Sequence, residues 1–276
     1  MKIDSHQHFW KFDPGRDTWI GEDMKVLRAD FLPDTLYPLL NLCGMDGTVA
    51  VQADQSETET DFLISLADHY ECIKGVVGWI DFRAANLSER LEYYSEFKKL
   101  KGFRHILQAE AKLDFMLDKK FCAGISKLKK FNFTYDILIF PKHLSFAYEF
   151  VKKFPDHKFV IDHIAKPDFK KSDFSFWEKE VKKLAELPNV YCKISGLVTE
   201  AHWSQWKPAD FFPAMDIVTE AFGMDRLMFG SDWPVCLLAG SYTDIWSITE
   251  QYFSAFTAHE KDNFYGDNAT RFYSLE

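Results

Sequence analysis

Two kinds of segment alternate along this chain: short runs of β-branched and apolar residues, and longer runs whose apolar residues recur every three or four positions. The short runs have the length and the flanking turn residues of buried strands. Eight strands are predicted in this way, at Lys2–Ser5, Thr48–Gln52, Gly75–Ile80, Gly102–Leu107, Tyr135–Phe140, Lys158–Asp162, Val190–Ile194 and Leu227–Gly230.

The longer runs predict amphipathic helices between these strands. Clear apolar stripes lie at 62–70, 91–100, 144–151, 177–185, 211–218 and 245–256, with weaker helices at 36–42 and 121–128. Asn86-Leu87-Ser88 and Lys207-Pro208 favour helix starts, and Cys43-Gly44 and Phe222-Gly223 favour helix ends.

The regular alternation predicts the fold class. Strands separated by helices pair in parallel through right-handed crossovers. Eight such units in about 250 residues are typical of the (β/α)8 TIM barrel. An open doubly wound sheet is the alternative, but no Gly-rich phosphate loop follows any strand. We therefore predict an α/β protein with one barrel domain over residues 1–276.

Composition narrows the possible partners and the compartment. Apolar residues form 47% and aromatic residues 17% of the 276 residues, enough for a large core. The net charge of −9 disfavours nucleic acid and anionic membranes as partners. No apolar run reaches the roughly 20 residues of a membrane span, and the first residues carry no signal-type stretch. Five cysteines without a CxxC spacing predict free thiols in a cytoplasmic protein.

Candidate metal ligands follow the first and last strands, where a barrel places its reactive groups. His6 and His8 are two residues apart, so on a strand both imidazoles point to one face. Asp232 follows the eighth strand and could meet them across the barrel mouth. Two imidazoles and a carboxylate suit a divalent metal, although a metal-free hydrogen-bonded pair of histidines fits the same pattern. Asp232 could also orient a water molecule or accept its proton.

Further candidates lie on the middle strands. His163 follows the sixth strand and is predicted to share a face with Phe159 and Ile161. Arg104 and His105 end the fourth strand, and the planar fork of Arg104 suits a carboxylate or a carbonyl oxygen; a salt bridge at the rim is the alternative. Lys193 is either a charged substrate contact or a buried ion-pair member. Asp136 opens its predicted strand, so we interpret it as structural.

Several tryptophans could stack on the apolar face of a sugar ring, with ordinary packing as the alternative. These are Trp10, Trp79, Trp203 and Trp233. Gly-x-Ser-x-Gly, Walker, HExxH and EF-hand patterns are missing from the sequence. A covalent serine mechanism and phosphoryl transfer therefore have no support.

Six motifs, taken in order, resemble one known family. They are Ile3–Trp10, Gly102–His105, Asp162–Pro167, Lys193–Leu197, Gly230–Pro234 and Asn268–Tyr273. Together they resemble the amidohydrolase superfamily, in the amidohydrolase 2 branch that contains sugar lactonases such as L-fuconolactonase and L-rhamnonolactonase. The resemblance spans nearly the whole chain.

The resemblance implies a barrel hydrolase that opens a small-molecule sugar lactone with water. His6 and His8 match the histidine pair of the first strand, and His163 matches the mid-barrel histidine. Asp232 matches the last-strand aspartate, which activates the hydrolytic water in related enzymes. Members of this branch hold one divalent metal ion, such as zinc or manganese, or none, and both alternatives stay open here.

Three other functions compete with this one. A pyrone-dicarboxylate lactone could be clamped by Arg104 and Lys193, but the charge of −9 disfavours a dicarboxylate. The same barrel could catalyse metal-dependent decarboxylation, as another branch of the superfamily does. A barrel that only binds a ligand is the non-enzymatic alternative, which the dense set of titratable strand-end residues disfavours.

Overall fold

A computed structural model of the protein describes residues 1–171 and 173–276. Its strands pair in parallel and in sequence order, each with the next. They are β1 Ile3–Gln7, β2 Gly47–Val51, β3 Ile73–Gly78, β4 Leu100–His105, β5 Thr134–Ile137, β6 Phe159–Ile161, β7 Val190–Ile194 and β8 Leu227–Phe229.

Backbone hydrogen bonds join the first strand to the segment after the last one. The amide of His8 donates to the carbonyl of Trp233 over 2.7 Å, and the amide of Asp232 donates to that of His6 over 2.8 Å. The sheet is therefore nearly closed, and the predicted (β/α)8 TIM barrel is confirmed.

Helices follow the strands and cover the outside of the barrel. They are α1 Pro33–Leu42, α2 Glu57–His69, α3 Leu87–Ser95, α4 Lys119–Leu128, α5 Leu144–Val151, α6 Ser175–Ala185, α7 Phe212–Phe222, α8 Tyr242–Tyr252, α9 Ala258–Asp262 and α10 Asn268–Tyr273. The predicted helix start at Asn86 and the ends at Cys43 and Gly223 are confirmed by the caps of α3, α1 and α7.

The C-terminal segment packs against the N-terminal end of the barrel. Phe272, Tyr273 and Leu275 join one apolar cluster with residues of β1, β2, β3, β6 and β8, including Ile3. Gly266 passes so close to the first residue that an added Cβ would lie 1.7 Å from the Met1 carbonyl oxygen. This end of the barrel is therefore filled with side chains, and any ligand must approach from the opposite end.

One predicted helix was too long. The stripe over 91–100 suggested a helix of ten residues, but α3 ends at Ser95 and Leu100 already opens β4. Phe97 is half-buried from the turn between them, and Leu100 is buried from the strand. Their spacing imitates a helical stripe because both residues meet the same core from different elements.

Within residues 1–171 and 173–276, the structure has no helix long and apolar enough to cross a membrane.

Candidate active site

Three side chains meet at the C-terminal end of the barrel. The imidazole rings of His6 and His8 have their centroids 5.0 Å apart. Oδ1 of Asp232 lies 3.4 Å from Nε2 of His8 and 3.8 Å from Nε2 of His6. All three side chains are buried. The structure thus brings together the three residues that the sequence indicated as metal ligands.

The backbone around β8 explains how Asp232 reaches the histidines. Its φ of 56° turns the chain just after the strand. Gly230 allows a close approach to β1, since an added Cβ would lie 2.7 Å from the Cβ of His6. The carboxylate of Asp4 accepts from the amides of Ser231 and His6, at 2.9 and 3.2 Å. Asp4 therefore ties the two chain segments together directly beneath the site.

His163 reaches the site through a left-handed turn. Its predicted position on the face of the strand is wrong, because β6 ends at Ile161. From His163 to Lys166 four successive residues have φ between 47 and 59°, and such backbone costs about 1–2 kcal/mol per residue. The turn brings Nε2 of His163 within 3.8 Å of Asp232 Oδ1. Strain of this kind is concentrated at functional sites.

Gly196 on the β7 loop leaves room for that imidazole. Its φ is 60°, and an added Cβ would lie 2.6 Å from Nδ1 of His163. The same Nδ1 is 2.9 Å from the hydroxyl of Ser195. Two neighbouring residues of one loop therefore set the position and the orientation of His163.

Burial keeps the imidazoles of His6 and His163 neutral. It lowers the pKa of His6 well below its usual value and that of His163 to about 4. Burial acts to raise the pKa of Asp232, but His163, His8 and His6 outweigh it and hold that pKa well below its usual range. At neutral pH the carboxylate of Asp232 therefore lies beside the neutral imidazoles of His6 and His163.

The hydrogen bond of His8 leaves a nitrogen lone pair facing Asp232. Nδ1 of His8 lies 2.7 Å from the carbonyl oxygen of Val51, so it carries the proton and Nε2 is an acceptor. Nδ1 of His6 lies 3.2 Å from both a carboxylate oxygen of Asp162 and the ammonium of Lys193, and its Nε2 lies 3.3 Å from Nη1 of Arg104. Nε2 of His8 thus faces an acceptor oxygen of Asp232 without a proton between them, an arrangement that a cation would stabilise.

The donor set fits a divalent metal. His6, His8 and Asp232 can each offer a ligand atom, with all three atoms within 4.8 Å of one another. Neutral imidazole and carboxylate are the usual nitrogen and oxygen ligands of zinc. His6 also belongs to a second group with Asp162 and His163.

Asp162 is a site residue that the sequence reasoning missed. It was interpreted as the last residue of a strand, yet it is fully buried between several partners. Its carboxylate accepts from Arg104 over 3.0 Å and lies 3.1 Å from Nζ of Lys193. Burial opposes ionisation, but Lys193, His6 and Arg104 hold the pKa of Asp162 well below its usual range. Its place directly before the strand-end histidine was the available signal.

Lys193 is a buried ion-pair member, so its assignment as a substrate contact is wrong. The residue is fully buried, and its ammonium donates to Asp136 over 2.6 Å. Asp136 is the third residue of β5 rather than its opening, and Tyr273 donates to it over 2.7 Å. Burial raises the pKa of Asp136 to about 6 although Lys193 opposes this. The interpretation of Asp136 as a structural residue agrees with these contacts.

A cavity of about 310 Å³ opens above this site. Arg104, His163 and Asp232 lie on its polar side, and Trp10 belongs to its apolar wall, as the sequence suggested. Trp19 and Lys166 also line it and were not predicted. Trp19 is 45% exposed and packs edge-on against Trp10. The ammonium of Lys166 lies 3.2 Å from Glu200.

Two predicted substrate contacts lie outside this cavity. His105 stacks on Phe115 with centroids 5.2 Å apart, and its Nε2 lies 2.8 Å from Glu110. Trp233 is 1% exposed and packs edge-on against Phe31. Neither side chain lines the cavity, because both are packed against residues of the surrounding strands and loops.

Comparison with known protein families shows which family the chain belongs to. A family model described as Amidohydrolase matches residues 3–275. The chain belongs to the amidohydrolase family.

Two curated relatives align over the whole chain. An L-fucono-1,5-lactonase from Burkholderia multivorans is 41% identical over 286 aligned positions, which cover 100% of this chain and 96% of the relative. An L-fucono-1,5-lactonase from Burkholderia ambifaria is 32% identical, with the same shares covered.

A crystal structure of an amidohydrolase from Burkholderia multivorans with bound zinc superposes with a TM-score of 0.97. It is 41% identical, and the match covers both chains completely. A probable 2-pyrone-4,6-dicarboxylic acid hydrolase from Acinetobacter baumannii has a TM-score of 0.78 at 17% identity, over 99% of each chain. The similarity to the Acinetobacter baumannii protein shows a shared fold and nothing more.

Proposed function

We propose that this protein hydrolyses the ring ester of a small sugar lactone and releases the open-chain aldonate. The observation that carries the proposal is the Asp232 carboxylate, which lies among the imidazoles of His6, His8 and His163 at the floor of a cavity. A volume of about 310 Å³ suits a single sugar ring. The two lactonases aligned over the full chain, at 41% and 32% identity, support the same substrate class.

In this mechanism Asp232 is the general base. It is ionised at neutral pH and can accept a proton from a water molecule that attacks the lactone carbonyl carbon. The bond between this carbon and the ring oxygen then breaks, and the ring oxygen takes up a proton to become a hydroxyl group. One lactone and one water thus give one hydroxy acid, whose carboxyl group ionises. The neutral imidazole of His163 lies beside Asp232 and can hold the attacking water.

Two cations are available for the negative charge that develops on the carbonyl oxygen. Arg104 and Lys166 both line the cavity. Preorganised donors of this kind are often the largest contribution to catalysis of acyl transfer. Trp10 and Trp19 form an apolar wall that can contact the non-polar face of the sugar ring.

A divalent metal, zinc or manganese, would be held by His6, His8 and Asp232. When bound, it would supply Lewis-acid polarisation of the carbonyl group. The residues of this chain retain the tasks of binding the lactone, orienting the water and moving its proton.

The clamp of Arg104 and Lys193 that the sequence suggested for a dicarboxylate lactone is not formed, because Lys193 is buried in ion pairs with Asp136 and Asp162 beneath the site.

The test is a panel of aldonolactones, one pyrone dicarboxylate and one aromatic acid, followed with a pH indicator and with detection of carbon dioxide. Each assay is run with and without chelator and with added zinc or manganese. We expect acid release from sugar lactones. Carbon dioxide evolution, or turnover of the dicarboxylate alone, would contradict the proposal.

A further inference from the structure

The guanidinium group of Arg104 is held along one edge by a single residue, Gln52, which directly follows β2. Arg104 Nε donates to the side-chain oxygen of Gln52 over 3.1 Å, and Nη2 donates to the same oxygen over 2.8 Å. Nη2 also donates to the main-chain carbonyl of Gln52. Gln52 is fully buried and Arg104 is 3% exposed. Because these contacts are buried, they fix the plane of the guanidinium.

The opposite edge of the guanidinium faces the site. Nη1 lies 3.0 Å from Oδ2 of Asp162 and 3.3 Å from Nε2 of His6. A rotation about the last side-chain bonds would turn Nη1 away from the cavity floor and leave its donors unsatisfied in a buried place. Gln52 blocks this rotation because it engages both Nε and Nη2.

The partner on the held edge is neutral. A carboxylate in the same place would form a bidentate ion pair and offset the positive charge of Arg104. The one carboxylate within salt-bridge distance among the described residues is Asp162, and it also interacts with Lys193 at 3.1 Å and His6 at 3.2 Å. Arg104 therefore keeps much of its charge for a group that arrives in the cavity.

Gln52 is itself firmly anchored. Its amide donates to the carbonyl of Val77 on the adjacent strand over 2.8 Å. Glu59, on α2, accepts from the amides of Ala53 and Asp54, at 3.1 and 2.6 Å. The main-chain oxygen that contacts Arg104 is thus held from both sides.

We propose that Gln52 is a positioning residue that fixes the guanidinium of Arg104 at the cavity floor, where its positive charge faces the oxyanion of the reacting lactone, and that the neutral amide of Gln52 adds no second negative charge beside Arg104. The inference rests on the proposed lactonase function, and it gives β2 a part in the reaction although Gln52 is absent from the cavity wall.

The experiment compares Gln52→Met, Gln52→Glu and Thr60→Val with the wild-type enzyme. Gln52→Met removes the acceptor of Nε, whereas Gln52→Glu keeps the shape and both acceptors but adds a negative charge. Thr60→Val is the matched control, since the hydroxyl of Thr60 interacts with Ser56 and Trp79 in the same part of the barrel. We expect both Gln52 variants to lower kcat about 10- to 100-fold, less than the roughly 10²- to 10³-fold loss when an oxyanion donor is removed outright, and to change KM less than about threefold. Thr60→Val should keep the wild-type kcat.

A double-mutant cycle separates positioning from general stability. In an Arg104→Met background, Gln52→Glu and Gln52→Met should cause little further loss, because the group that they orient is gone. Additive losses would overturn the inference, and so would a wild-type kcat in Gln52→Glu, which tests the idea even if Gln52→Met fails to fold. In either case wild-type lactone turnover leaves the proposed function standing. A wild-type enzyme inactive on every lactone would overturn both.

Discussion

At the scale of single residues, Asp232 holds the central position because three imidazoles and the cavity converge on it. Replacing it by Asn removes the negative charge and the proton acceptor but keeps the size of the side chain. We expect Asp232→Asn to lower kcat about 10³-fold or more, within the range of general-base catalysis and ligand loss. The measurement is steady-state kinetics on the best lactone of the panel.

The matched control for this substitution is Asp156→Asn, which changes an exposed carboxylate paired with Lys129. Exposed ion pairs contribute little to stability, so this variant should behave as the wild-type enzyme does. Near-normal turnover by a folded Asp232→Asn variant would exclude the proposed base.

Lys166 should act on the charge that develops during the reaction. Its backbone is held in a left-handed conformation, and its side chain reaches the cavity beside Glu200. We expect Lys166→Met to lower kcat/KM about tenfold or more through weaker stabilisation of the oxyanion. Lys171→Met, which changes an exposed lysine on the same loop, should have no effect. Equal kinetics for the two variants would remove Lys166 from the mechanism.

At the scale of elements, the loop after β7 contacts the left-handed turn after β6 at Gly196. An alanine at position 196 would be unfavourable for two reasons: the backbone φ is 60°, and its Cβ would lie 2.6 Å from Nδ1 of His163. Gly44, with a φ of 65° and no atom within 4 Å of an added Cβ, presents the backbone obstacle alone. The two glycines thus separate backbone strain from displacement of His163.

We expect both Gly196→Ala and Gly44→Ala to lower the free energy of unfolding by about 1 kcal/mol or more, the cost of left-handed backbone. Only Gly196→Ala should also reduce kcat, because His163 has to move. Denaturant unfolding and kinetics on both variants measure the two effects. Full activity in Gly196→Ala would show that the position of His163 is unimportant for turnover.

At the scale of the whole molecule, the burial of one histidine, His157, makes stability depend on pH. Burial, with a smaller contribution from Lys129, lowers the pKa of His157 from 6.5 to about 4 in the folded protein. Between these two values the unfolded chain binds a proton that the folded protein does not bind. The free energy of unfolding therefore falls as the pH decreases from 6.5 to 4, by at most about 3 kcal/mol from this group, and levels off below that window.

The test is denaturant unfolding of His157→Asn and the wild-type protein from pH 7.5 to pH 4.5. The variant should lose part of the decrease in stability over this range. His69→Asn, which changes an exposed histidine, should keep the wild-type slope. Identical slopes for His157→Asn and the wild-type protein would contradict the assignment.

The barrel and part of its site could be predicted from the sequence because they depend on local patterns. Strand–helix alternation follows from which positions must be buried, and the place of His6, His8 and Asp232 follows from the rule that parallel strands end at one face. The observed boundaries of α3 and β4 differ by a few residues from the predicted ones, because a residue buried from a turn gives the same sequence pattern as one buried from a helix.

The orientation of charged side chains was decided by the tertiary structure alone. Lys193 and Arg104 looked equivalent as strand-borne cations, yet Lys193 is fully buried in ion pairs with Asp136 and Asp162, whereas Arg104, although paired with Asp162, also lines the cavity. Their partners Asp136 and Gln52 lie 57 and 52 positions away along the chain. No local pattern encodes such pairs, since they form only when the barrel closes and excludes water. The sequence by itself thus determined the barrel and the strand ends that carry its candidate site, and closure of the barrel decided which charges reach the cavity.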